Sequence, residues 1–194
     1  MKPRTSALLL TSLLGLSQCI MPEAVAPVET LPDATQTGAN TAGCRVDDLI
    51  WLPGYDYIDF MGARPISARW SKSPATGGHG LSLLLSKSIK GPQVHDRTHV
   101  SLFVPDITRP GTFVLDQAAN PQFGSTNPAY GGFTFSRAFP NQQLLTGPGA
   151  PGRLVVTRLD TISRVVSGTF EFSARQATTG TSVRVTEGRF DCSF

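Results

Sequence analysis

The sequence has no apolar run long enough to cross a bilayer, no cluster of basic residues, three histidines and three cysteines. Each shortage removes a class of function. A membrane-spanning helix needs about 20 consecutive apolar residues, whereas Leu8 to Leu16 is shorter and is interrupted by Thr11, Ser12 and Gly15. The net charge of +3 suggests an anionic partner, but Lys2 and Arg4 stand before that stretch, and without them 15 basic residues face 14 acidic ones. Affinity for nucleic acid depends on several clustered cations, so no nucleic acid partner is expected.

Catalytic signatures are missing as well. There is no G-x-S-x-G elbow, no phosphate-cradling glycine loop, no dinucleotide fingerprint and no haem-attachment motif. The "GGHG" at 77–80 reads as a turn with no helix behind it. No cofactor is expected. His95 and Asp96 are the one fragment that suggests a base beside its acid, and "KGPQVHDR" around them reads as a loop. An ordinary exposed pair is the plainer reading. His95 and His99 share a strand face but stand about 13 Å apart at strand rise, too far to hold one zinc unless a bend brings them together with His79. Asp56 and Asp59 in "GYDYIDFMG" lack the dense oxygen spacing of a calcium loop. An enzyme acting on envelope glycans or peptides would need convergent carboxylates, with Asp56, Asp59 and Asp96 as candidates. The expectation is a protein that is not an enzyme and holds no metal.

The chain opens on a basic start, an apolar stretch and then "LSQC", which resembles the bacterial lipobox. Leu16 and Ser17 fit that pattern, while Gln18 departs from the usual small residue. Cys19 is then the lipid attachment site, residues 1–18 are a signal peptide, and 19–41, rich in Pro, Ala and Thr, are a flexible tether. The membrane is thus an expected partner, held through acyl chains that each bury many methylenes at about 0.8 kcal/mol apiece. Ile20, where an inner-membrane protein often has Asp, favours the outer membrane. Glu23 stands alone, so the membrane face stays open.

Residues 42–194 are long enough for a single core. With Cys19 set aside, Cys44 and Cys192 form a pair in an oxidising compartment. Pairing would close almost the whole domain, worth on the order of 5 kcal/mol in the chain-entropy account. Two separate buried thiols are the alternative.

Period-two alternation runs through this region. In "VSGTFEFSAR" Phe170 and Phe172 oppose Thr169, Glu171 and Ser173, and in "GRFDCSF" Phe190, Cys192 and Phe194 oppose Arg189, Asp191 and Ser193. Breakers such as "PDITRPG", "NPQFGSTNP" and "TGPGAPG" punctuate the strands, and no long amphipathic helix is apparent. An all-β fold of about 9–10 short strands is expected, an antiparallel sandwich or a closed barrel. Trp51, Tyr55, Tyr57, Phe60 and Trp70 fall close together. Tyr55, Tyr57 and Phe60 are the candidate binding platform for a protein or glycan partner. The plainer reading makes the tryptophans core and the tyrosines cover for a sheet edge.

Two stretches carry a family likeness. "LPDATQTGANTAGCRVDDLIW" and the closing "LVVTRLD…VSGTFEFSARQATTGTSVRVTEGRFDCSF" resemble a family of uncharacterised Bacteroidetes lipoproteins defined by a domain of unknown function. The likeness covers the start of the domain and roughly its last 40 residues. It implies a lipid-anchored, all-β envelope protein and carries over no catalytic residue. Family members tend to place Asn-Gly between the cysteine-bearing strand and the tryptophan; here Asp47 and Asp48 stand there. A two-residue type I′ turn is less favourable without glycine, so another turn type is expected. From these features a lipid-anchored binding or structural module is expected, with a lipocalin-like carrier of a small apolar ligand as the alternative.

Overall fold

The computed structural model describes residues 29–55, 64–73, 76–90, 95–121, 126–136 and 142–194. Cys19, Gln18, Asp56, Tyr57, Asp59 and Phe60 lie outside the described residues. The described residues form twelve strands: β1 (Thr41–Val46), β2 (Leu49–Trp51), β3 (Gly54–Tyr55), β4 (Ile66–Lys72), β5 (His79–Lys90), β6 (His95–Val104), β7 (Gly111–Val114), β8 (Tyr130–Ser136), β9 (Gln142–Leu145), β10 (Gly152–Asp160), β11 (Val165–Arg175) and β12 (Ser182–Ser193). No helix among the described residues is long and apolar enough to cross a membrane.

The all-β expectation is met, with a particular architecture. The strands form one sheet in the order β2-β1-β12-β11-β9-β8-β6-β5-β3, with β10 and β7 branching from β11 and β4 from β5. It is curled into an open half-barrel. The branch arises because β11 changes partner along its length: Val165 to Phe172 pair with β10, and Arg175 pairs with Leu145 of β9. The two halves of the curl then face each other. Leu85, Val100 and Leu144 from one and Val166 and Val185 from the other are fully buried between them. Trp51, at the end of β2, closes part of the gap by donating its indole N–H to Thr98 Oγ1 of β6 at 2.9 Å.

The long strands keep their buried set facing inward by means of bulges. On β12 the inward residues are Val183 and Val185, then Phe190 and Cys192, a change of parity. Glu187 is the extra residue: it sits at φ 52°, and three steps on β12 span two on β11 and on β1. A one-residue slip turns a strand over, so the bulge is what lets both halves of β12 bury apolar side chains. Around it, Phe172, Phe190 and Phe170 each stand directly opposite a glycine, Gly152, Gly168 and Gly188 respectively. A Cβ on Gly188 would lie 2.4 Å from the ring of Phe170, so the ring occupies the space that a side chain would need.

The β1–β2 turn corrects the expectation made from its sequence. Asp47 and Asp48 are a two-residue loop closed by the pair Val46 and Leu49, and both have positive φ, 47° and 67°. That is a type I′ turn without glycine. Aspartate tolerates the left-handed region better than most residues, and this one is held by neighbours. Asp47 Oδ1 accepts from Arg184 N at 2.9 Å, Asp47 N donates to Arg184 O at 2.9 Å, and Arg45 donates to Asp48 O.

The expected bridge between Cys44 and Cys192 does not form; both are buried free thiols. Register is the reason. Thr41 pairs with Asp191, so Cys192 lies opposite position 40, four residues from Cys44. At strand rise that is about 13 Å, well beyond the roughly 7 Å between Cα atoms that a disulfide tolerates. Burial pushes both thiols up to about 12, with the Asp191 charge adding to the effect at Cys192.

Two outcomes follow from these contacts. Addition of a reductant should leave the melting temperature of the protein unchanged, and a drop of several degrees would reveal a bridge that the register forbids. Asp48→Gly should stabilise the domain by up to about 1 kcal/mol by relieving the left-handed residue, read as a rise of about 2–4 °C in thermal unfolding; a fall would mean that the aspartate side chain itself holds the turn.

Candidate functional site

Asp191 lies on the polar face of β12 in the alternation, yet it is 1% exposed. What covers it is the segment leading into β1. Asp191 Oδ2 accepts from Thr35 Oγ1 at 2.7 Å, Thr37 N at 2.8 Å, Thr37 Oγ1 at 3.2 Å and Ala39 N at 3.2 Å. Its Oδ1 accepts from Gly38 N at 2.8 Å and from Ser167 Oγ of β11 at 2.7 Å. Six donors therefore converge on one carboxylate that has no cationic partner among the described residues.

The local sequence explains the shape. Gly38 takes φ 78°, and a Cβ there would come within 2.9 Å of Val165, so only glycine lets the backbone turn its N–H onto Asp191 while lying against β11. Thr35 and Thr37 add hydroxyls. Further anchors flank the turn: Arg189 Nη1 donates to Pro32 O at 3.3 Å, and Arg158 Nη1 to Gln36 O. The tether was expected to run loose to residue 41; residues 35–39 instead lie bonded across β12 and β11.

Burial alone would raise the pKa of Asp191. The bonds from Ser167, Thr35, Thr37 and Gly38 outweigh it and hold the carboxyl well below the usual carboxylate range. The cause is local dipoles rather than a counter-ion.

The structure scatters the other candidates. Tyr55 is half-buried at the end of β3 and donates to Arg64 O at 3.3 Å, while Tyr57 and Phe60 lie outside the described residues. Trp51 is core, as the plainer reading had it. Trp70 is half-buried and stacks on His79, ring centroids 4.1 Å apart at 13°. His95 and Asp96 occupy the first two positions of β6, paired with Lys90 and Ile89, and not a loop. Among the described residues no three His, Cys, Asp or Glu side chains come together to hold a metal ion.

One pairing was not visible in the sequence. His99 Nδ1 lies 2.9 Å from Ser86 Oγ, with Ser86 and Thr134 as its cross-strand neighbours. Burial, then the charge of Arg97, lowers the His99 pKa, which favours a neutral imidazole. A hydroxyl beside a neutral imidazole has the first two parts of a nucleophile–base pair. It lacks the third: no carboxylate among the described residues bonds to His99, and Ser86 is only 4% exposed. The pair joins β5 to β6 as a structural bond.

No protein-family model matches the chain, and neither a curated protein nor a solved structure is similar enough to count as a match. The class is therefore set by the architecture itself, an all-β half-barrel whose leading segment is clasped to its last strand.

Replacing Asp191 by Asn puts an NH2 among donors and should lower unfolding stability by about 3 kcal/mol. The folded carboxyl titrates below the value of about 3.9 in an unfolded chain, so the unfolded state takes up its proton first as the pH falls. The contribution is complete above about pH 5 and is lost progressively below it. Denaturant unfolding of wild type and Asp191→Asn should thus converge on going from about pH 6 to about pH 3; a gap that does not change with pH would be incompatible with an ionised clasp.

Proposed function

We propose that this is a lipid-anchored cell-envelope protein, attached through Cys19 and serving as a non-catalytic binding or structural module on the outer membrane. The observation that carries this reading is the clasp at Asp191. A chain leaving the membrane at Cys19 reaches the domain within about 20 residues, and its arriving segment is fixed by five hydrogen bonds to Asp191 of β12 rather than left to swivel, while Ser167 of β11 supplies the sixth donor. A load on the anchor would then be borne by β12 and β11 together. The two stretches that carry the likeness to the Bacteroidetes lipoproteins are the two that meet there: "TQTGAN" supplies the donors and "GRFDC" the carboxylate. The partner is a protein or a glycan of the envelope.

A carrier of a small apolar ligand is the weaker reading. Side chains fill the space inside the curl, with Leu85, Val100, Leu144, Val166 and Val185 at 0% exposure.

The full chain, produced in a host that processes lipoproteins and fed an alkyne-tagged fatty acid, should incorporate the tag and sediment with the outer membrane. Cys19→Ala should lose the tag and become soluble. A wild-type chain that is secreted without the tag would overturn the anchor, and in-cell crosslinking that captures neither protein nor glycan would leave only the structural role.

A further inference from the structure

The half-barrel does not close, and its open seam contains a cleft of about 410 Å³ between β4 and the end of β12. Its described lining is Asn40, Arg64, Ile66, Ser67, Ala68, Arg164, Ser193 and Phe194. Ile66, Ala68 and Phe194 are half-buried and pack on the core, giving a mainly polar cleft one apolar strip. Arg64 and Arg164 are exposed at the rim. Neither guanidinium makes an ion pair among the described residues, and no acidic side chain is among the described lining residues.

Two of these residues are held in unusual backbone conformations. Arg164 has φ 56° and Asn40 φ 55°. Arg164 ends the four-residue loop between β10 and β11, where a left-handed residue turns the chain into the next strand, and Asn is among the residues that tolerate that region. Arg164 is fixed there because Phe194 N donates to its carbonyl at 3.0 Å. Asn40 is fixed by Ser193, whose N and Oγ both donate to Asn40 Oδ1, at 3.0 and 2.9 Å. That assignment leaves the Asn40 amide NH2 as a spare donor at the same cleft.

We propose that the seam cleft binds a small amphiphile with an oxyanion head, a carboxylate or a phosphate monoester, on an apolar body. Two guanidinium forks and an amide match the planar or tetrahedral oxygens of such a head. The apolar strip takes the body, and the volume lies in the range of small-molecule sites. The inference adds a small-molecule site to the binding module proposed above, separate from its protein or glycan partner, and rests on that reading, but it does not require Cys19 to be acylated.

The test uses the mature chain from residue 19 with Cys19→Ser, free of detergent, and calorimetric titration with octanoate, octyl phosphate, octylamine and octanol. Saturable one-site binding of octanoate or octyl phosphate is expected, and the tighter of the two names the head group. Octylamine and octanol should bind at least tenfold more weakly. Arg64→Gln should weaken the anion by tenfold or more. Arg164→Gly should do the same while raising the melting temperature, because glycine accepts the left-handed backbone; this separates loss of a site from loss of fold. Equal binding of all four probes, or anion binding unchanged in both variants, would overturn the proposal. So would failure of both anions to bind; that result leaves acylation and envelope location, read separately, intact.

Discussion

A buried carboxylate without a counter-ion is the constraint on which the ends of this protein depend. Burying the charge of Asp191 is tolerable only because six donors are aimed at it, and those donors come from places far apart in the chain: Thr35 to Ala39 and Ser167. Each side needs the other. Without the leading segment Asp191 would be a solvated side chain on an outer face, and without Asp191 three backbone N–H groups of that segment would lose their acceptor. The interaction also fixes β1 beside β12, since Thr41, the first residue of β1, pairs with Asp191 itself.

From that edge the rest of the sheet is built by register. The Glu187 bulge re-aims β12 so that both its halves feed the core, and the partner change along β11 folds the sheet over on itself. The same register that makes a good core keeps Cys44 and Cys192 apart. Domain stability therefore has to come from packing, backbone pairing and the clasp. The seam stays open on the side where β4 meets Phe194, with Trp70 and Phe194 in contact at 6.1 Å between ring centroids.

The left-handed residues are not spread at random over this plan. Asp47 and Asp48 make the tight turn that brings Trp51 back over the core, Glu187 makes the bulge, Asp106 lies in the turn after β6, and Asn40 and Arg164 stand at the seam. Arg164 likewise ends the loop between β10 and β11. Asn40 and Arg164 also line one cleft, and the ligand site is therefore proposed at the seam rather than at the tyrosine stretch.

Strand alternation was legible because it is local: a residue's face depends on its immediate neighbours, so Phe170, Phe172, Phe190 and Cys192 could be assigned inward from order alone. The short apolar run ahead of Cys19 is equally local. The Asp-Asp turn was misread because its stability comes from Arg184 and Arg45, which no window around residues 47 and 48 contains. Asp191 looked like one polar residue among three on the outer face, and "TQTGAN" looked like loose tether; neither hints at the other across about 150 positions of sequence. The sequence by itself determined the strand class and the faces of the strands, because those follow from period and propensity. Only the tertiary structure decided which cysteines meet, which carboxylate is buried and where cations gather, because these depend on register between strands distant in the chain.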